Sequence, residues 1–206
     1  MGQFRGKSPF EFTGGNLCLD FTNTVNNRLG GQREDLFTDY GRLLQWGEES
    51  DAISGKAREH LQQIAAEAPG NAVSTVRRAV QLREAIYDIF TAVVHRRAVP
   101  ATALALLNKA AQHAAQQGEI AHANRRFLWQ WTSSDANLDA MLWPVVRAAS
   151  DLLTSEDLWL VRQCAAEDCA WLFLDKTKNH RRRWCDMKGC GNRAKARRYY
   201  QRRKAG

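Results

Sequence analysis

Four of the five cysteines of this 206-residue chain fall between Cys164 and Cys190, spaced C-x4-C-x15-C-x4-C as Cys164, Cys169, Cys185 and Cys190. Two close pairs separated by a short loop are what a tetrahedral metal ion requires. Each pair holds two thiolates on one side of the ion, and the loop brings the pairs together. Four thiolates leave no open position, which favours one structural zinc ion per chain over a catalytic one. An iron–sulfur cluster is the alternative metal, but nothing else in the sequence suggests electron transfer. A redox C-x-x-C pair is absent. The metal also bears on folding, because a segment of about 40 residues buries too little apolar surface to be stable alone.

Charge divides the chain at the same place. Residues 176–206 hold 13 Lys/Arg against one acid, Asp186, a net +12, whereas residues 1–175 hold 17 bases and 21 acids, a net −4. A basic segment of this kind points to a polyanionic partner. Trp171, Phe173 and Trp184 argue against a merely disordered basic tail, since such tails are poor in aromatic residues.

The sequence of this segment predicts a treble-clef-like finger. "AWLFLD" (Ala170 to Asp175) and "RRRWC" (Arg181 to Cys185) read as two strands of a hairpin joined by "KTKNH", and a helix starts near Cys190. His180 is expected in the loop rather than among the ligands. On the helix, Arg193 and Arg197 form one row, and Lys195, Arg198 and Arg202 another, with Tyr199 and Tyr200 among them. Together with Lys178, Arg181, Arg182, Arg183 and Arg203 they make a candidate nucleic-acid surface. Phosphate would neutralise it with release of counterions, and arginine also reads guanine bidentately. A membrane surface is disfavoured because the helix lacks a large apolar face. DNA and RNA both remain open at this point.

The first 160 residues read as mainly α with a small antiparallel β-sheet. "FEFTGGN" (Phe10 to Asn16) predicts a strand and turn. Leu17, Phe21 and Val25 predict a helix closed by Gly30-Gly31, and Phe37, Tyr40, Leu43, Leu44 and Trp46 a second closed near Gly47. Helices follow over 54–67, over 74–97 with Pro100 as the stop, and over 101–118 with Gly118 at C′. "ANRR" marks a hairpin turn, with Phe127, Trp129 and Trp131 on one side and the Phe10 strand as a candidate third member. A helix over 136–153 is expected to kink or start at Pro144. A last helix, capped by Thr154 or Ser155, would run into Cys164. The expected division is 1–160 and 161–206, an α+β unit followed by the finger.

The run "FLDKTKNHRRRWCDMKGCGNRAKARRYYQRR" closely resembles the CGNR zinc finger, named for Cys190-Gly191-Asn192-Arg193. "FEFTGGNLCLDFTNTVNNR", "LREAIYDIF" and "LWPVVRAASDLLTSEDLWLVRQC" resemble the ABATE-type domain that precedes this finger in bacterial proteins. The resemblance spans nearly the whole chain. It implies a stress-associated bacterial transcription regulator, zinc on Cys164, Cys169, Cys185 and Cys190, and DNA as the finger's partner. It departs from many relatives at Lys176-Thr177, where Ser or Thr follows the acid of "FLD". Within the motif, Gly191 is expected to permit a tight turn, and Asn192 to cap the helix or bond a thiolate. Arg193 is expected to meet phosphate or pair with Asp175. Phe173 and Trp184 should form the finger's small core, and Asn179 should shape its loop.

Asp20, Asn23, Thr24 and Asn27, with Asn26 and Arg28 nearby, lie off the apolar stripe of the first helix. They are candidate lining for a small-molecule effector pocket; the plainer alternative is a satisfied polar network or a solvated face. Cys18 reads as a core residue, and His60, His95, His113 and His122 form no local metal pattern. No Gly-rich phosphate loop, nucleophile elbow or H-E-x-x-H motif is present. The chain therefore reads as a non-enzyme. RNA or ribosome binding is the first alternative, and an enzyme with its site at Asp20 the second. "MGQFRGKSPFEF" has no apolar h-region and Gly6 breaks the myristoylation pattern, so a cytoplasmic setting with reduced thiols is expected. No heptad repeat announces a dimer.

Overall fold

The structure, a computed structural model, describes residues 8–132 and 136–204. Asn16 opens the first helix, α1 (Leu17–Thr22), by accepting the Cys18 N–H at 3.0 Å. The helix is much shorter than its apolar stripe predicts. Asn23, Thr24, Asn26 and Asn27 are weak helix formers whose side chains compete for backbone groups. The chain instead turns into β1 (Val25–Asn26), which pairs antiparallel with β2 (Glu34–Asp35), and Val25 reaches the core from a strand.

Capping explains the next boundaries. The Asp39 carboxylate accepts the Arg42 N–H and begins α2 (Tyr40–Glu49), and the Ser54 hydroxyl accepts the Ala57 N–H and begins α3 (Gly55–Glu67). Pro69 supplies the fixed φ of a first helical position, so α4 (Pro69–Val94) starts five residues before the expected 74. It ends at Val94, before Pro100 is reached. This helix is the spine, packed against α1, α2, α3, α5 (Ala101–Ala115) and the finger's strands. Trp46, Trp143, Phe21 and the helix's own Phe90 are among the largest fully buried side chains. Truncating one such side chain costs about 3–5 kcal/mol, a large part of a domain's stability.

Gly118 is not a helix cap. It is the first residue of β3 (Gly118–Ala123), which pairs with β4 (Arg126–Trp131) through a turn at Asn124 and Arg125. Both turn residues have positive φ, 51° and 62°, the geometry of the tight hairpin turn that suits strand twist. Gly118 is required because Trp129 lies across it: a Cβ there would sit 2.2 Å from the indole. Trp131 packs on Trp143 and Arg147 covers Trp129, while Phe127 and Ile120 stand free, 76% and 71% exposed. The expected Phe10 strand does not form. Phe10 enters the core from an irregular segment and the hairpin remains two-stranded.

Pro144 lies in the first turn of α6 (Leu142–Leu153), where its missing N–H costs nothing. The expected helix over 154–163 is replaced by a 3-10 turn (Glu156–Leu160) and a strand, β5 (Val161–Gln163). β5 pairs antiparallel with β6 (Leu172–Leu174), so the predicted hairpin between 170–175 and 181–185 does not form either. The reason is that both edges of β6 are taken. β5 holds one; on the other, the Leu174 N–H donates to Gly14 O and Leu172 bonds Asn23. Residues 181–185 instead wrap the buried Asp175 carboxylate, which accepts the Arg182 N–H at 2.9 Å and the Thr177 hydroxyl at 2.5 Å.

β6 serves two apolar clusters by its period of two. Leu172 and Leu174 join the main core with Leu160 and Val161, whereas Trp171 and Phe173 pack with the four clustered cysteines. Trp184, expected in that small core, is only partly buried against it.

Candidate metal centre and basic helix

The short chain turns around β5 and β6 bring the four cysteines together. Cys164 leaves β5 with its N–H on Trp171 O at 2.7 Å, and Cys169 closes the first knuckle through Ala166 O. Cys185 follows the segment around Asp175. Cys190 lies in a π-helical turn (Met187–Gly191) that Asp186 caps by accepting the Gly189 N–H. All four sulfurs lie within 4.8 Å of one another, with Cys169–Cys185 and Cys185–Cys190 both at 3.6 Å. Sulfurs about 2.3 Å from a tetrahedral zinc stand ~3.8 Å apart, so these spacings fit the ion. They are far too long for a disulfide, whose sulfurs are about 2.0 Å apart, and all five cysteines are free.

The four clustered sulfurs compete for the thiolate state. The Cys164 thiol is held well below its ordinary range, first by hydrogen bonding from Cys169 and then from Cys185 and Cys190. The same interaction with Cys164 pushes Cys169 and Cys185 up. A bound dication would remove this competition by stabilising thiolates at every position. Arg193 adds a fixed positive charge, donating from Nη2 to Cys190 Sγ at 3.1 Å. The four cysteines thus form a site for one structural zinc ion, closed to substrate.

The π turn runs directly into α7 (Asn192–Lys204), so an ion held by Cys190 would fix the helix at its start. Asn192 is the first residue of α7, and the capping role falls to Asp186. A Cβ at Gly191 would lie 2.9 Å from Met187 Sδ, the flexible end of an exposed side chain, so the expected tight-turn requirement for glycine does not appear there.

The cations of α7 are divided. One row turns back to the first knuckle: Arg197 pairs with Glu167 at 3.1 Å and Asp168 at 3.2 Å, and Arg193 reaches Asp168 at 3.7 Å. Arg193 therefore pairs with Asp168, not with Asp175. Arg182 is likewise engaged, donating to the carbonyls of Thr13, Trp184 and Cys185 and covering the Phe173 ring. Lys178, Arg181, Arg183, Lys195, Arg198, Arg202 and Arg203 are exposed, and none forms an ion pair among the described residues. His180 sits in the loop as expected, its Nδ1 2.9 Å from Asp175 O and its ring against Trp159.

The polar residues in and just after α1 are largely used by the protein itself. Asn23 is clasped to Leu172, and Thr24 donates to Phe21 O and accepts from Arg83. Asp20 accepts the Gly14 N–H at 2.7 Å, and burial raises its carboxyl to about 6 against the pull of the Gly14 and Thr13 N–H groups. Asn27, at a positive φ of 50°, lines a groove of about 280 Å³ beside Cys169, Cys185 and Cys190, apart from the other three.

A second polar centre was not legible from periodicity. Arg83 is fully buried and grips Asp35 at 2.7 and 2.5 Å, with Glu84 on its Nε at 2.9 Å. Glu84 also takes Arg28 at 2.7 Å, and Arg28 lies over the Tyr87 ring. The only signal was the placement of "LREAIYDIF" among the segments shared with relatives.

Residues 15–156 match the family model named ABATE, described as "Putative stress-induced transcription regulator". The chain belongs to the ABATE family. In this ABATE protein the match is followed by a second, to the CGNR zinc finger over residues 161–203, which contains the whole cysteine cluster and nearly all of α7. Both are regulatory or zinc-finger families, neither described as enzymatic. A search among curated proteins finds no match at a significant level. Among the described residues, no helix of this ABATE protein is long and apolar enough to cross a membrane.

Proposed function

We propose that the chain is a zinc-dependent regulator of transcription that binds duplex DNA through α7 and the exposed basic loop before it. The observation that carries this is the division of the α7 cations. Arg193 and Arg197 are spent on the zinc knuckle, holding the helix against Glu167 and Asp168. Lys195, Arg198 and Arg202 recur at i, i+3 and i+7 and face solvent uncompensated. A helix carrying such a stripe repels itself until an anion neutralises it, and a rigid mount lowers the entropy cost of presenting it. The family description, a transcription regulator, favours DNA over RNA as that polyanion.

The test uses zinc-loaded full-length protein. One zinc per chain and salt-sensitive binding to duplex DNA are expected, with structured RNA a weaker competitor. Cys185→Ser should lose zinc and DNA binding together while the helical circular-dichroism signal of the N-terminal region persists. Tight zinc binding without DNA binding at low salt would contradict the proposal, and stronger competition by RNA would redirect it to that polymer.

A further inference from the structure

Helices α4, α5 and α6, with Asp139 before α6, line a half-open cavity of about 560 Å³ away from the finger. Its volume lies in the range of small-molecule sites, which are mostly apolar with a few placed polar groups. Leu82, Leu106, Leu142, Val146 and Trp143 supply hydrocarbon and aromatic wall. Trp143 is buried, and its indole N–H has no hydrogen-bond partner among the described residues.

The polar lining is unequal in charge. Arg78 is already compensated, bonding Asp139 at 2.8 and 3.2 Å and the Thr75 hydroxyl at 2.9 Å. Lys109 and His113 also line the cavity, one helical turn apart on α5. Neither makes an ion pair or side-chain hydrogen bond among the described residues. Both are solvent-exposed, so the site joins an apolar wall to an open edge whose ammonium has no counter-charge among the described residues.

We infer that this cavity binds an amphipathic organic monoanion, a carboxylate carried on an alkyl or aryl body. Its apolar part lies between Leu82, Leu106, Leu142 and Val146, and its carboxylate meets Lys109 and His113. A neutral apolar molecule would leave the ammonium unused. Inorganic phosphate would face a wall with little to bind it. The role as effector rests on the regulator proposal: α6 leads through the 3-10 turn and β5 directly to Cys164. The binding itself does not, because it is measured without DNA.

Octanoate and 2-naphthoate are titrated calorimetrically into the zinc-loaded full chain, each beside its neutral alcohol, 1-octanol or 2-naphthol. At least one acid should bind one per chain, and about tenfold more tightly than its alcohol, the effect of one charge-assisted contact. Lys109→Gln, at an exposed position, should remove that preference and leave the alcohol's affinity unchanged. Leu106→Trp, which fills the cavity, should weaken acid and alcohol alike. Absence of binding by both acids, equal affinity for acid and alcohol, or acid binding unchanged by Lys109→Gln would each overturn the inference. Failure of DNA binding would leave these results standing.

Discussion

The Asn23 side chain and the Leu172 backbone form a two-point clasp: Nδ2 donates to Leu172 O at 2.9 Å, and the Leu172 N–H donates to Oδ1 at 2.9 Å. The amide reproduces a strand's hydrogen bonds at the free edge of β6, so α1 is tied to the strand that also carries the finger's Phe173. Asn23→Ala would leave a buried N–H and C=O without partners, at about 1–3 kcal/mol each. A loss of about 2–4 kcal/mol in urea unfolding is expected on the same principle. A change near zero would show that the clasp is dispensable.

Arg83 makes a prediction of the same kind. Its guanidinium has no exposure, and its partners Asp35 and Glu84 are both held below the ordinary carboxylate range. In each case burial works to raise the carboxyl and is outweighed by arginine, Arg83 at Asp35 and chiefly Arg28 at Glu84. Arg83→Met keeps the volume and leaves Asp35 without its bidentate partner, while Glu84 retains Arg28. About 1–3 kcal/mol should be lost, less than when one partner of a fully buried pair is removed, because the Asp35 carboxylate is partly exposed to water. Differential scanning calorimetry reads the loss, and a melting point within a degree or so of the parent's would contradict it.

Asp20 predicts a pH dependence. Its folded carboxyl, raised to about 6 by burial, holds its proton more tightly than the ordinary value of 3.8. Folding therefore favours the protonated form. That contribution is complete below pH 3.8 and is lost as pH rises through 6. Asp20→Asn keeps the acceptor for Gly14 and removes the titration. Its stability relative to the parent should improve between pH 5 and pH 7.5 by on the order of 1 kcal/mol. A difference independent of pH would contradict this account.

Arg193 acts on the metal through Cys190 Sγ. Arg193→Gln should leave zinc bound but weaken it about 10- to 100-fold, the usual effect of losing a group that orients or charges a ligand. Competition against a chromogenic chelator measures this, and unchanged affinity would assign Arg193 to the ion pair with Asp168 alone.

How far the sequence reached depends on the kind of interaction. The four cysteines were legible because metal geometry demands residue type and spacing at once. The long helices and the β3–β4 hairpin were legible because periodicity and turn chemistry are local. The failures around the finger share one cause, pairing that local patterns do not show. Val161–Gln163 looks like the end of a helix and becomes a strand because Leu172–Leu174 offers it an edge. Residues 181–185 look like a strand and are displaced because Gly14 and Asn23 occupy the remaining edge. Asp20, Asn23 and Thr24 stand out as polar groups off an apolar stripe, but only the fold reveals that Gly14, Leu172 and Arg83 are their partners.

The most direct measurement for the central claim is the salt dependence of duplex DNA binding by the zinc-loaded chain and its Lys195→Gln/Arg198→Gln/Arg202→Gln variant. Each phosphate contact contributes about 0.9 to the slope of log affinity against log salt. Three lost contacts should therefore lower the slope by about 2–3 and weaken binding at low salt, with zinc content unchanged. Identical slope and affinity in the two proteins would show that the free stripe of α7 is not the surface that meets DNA.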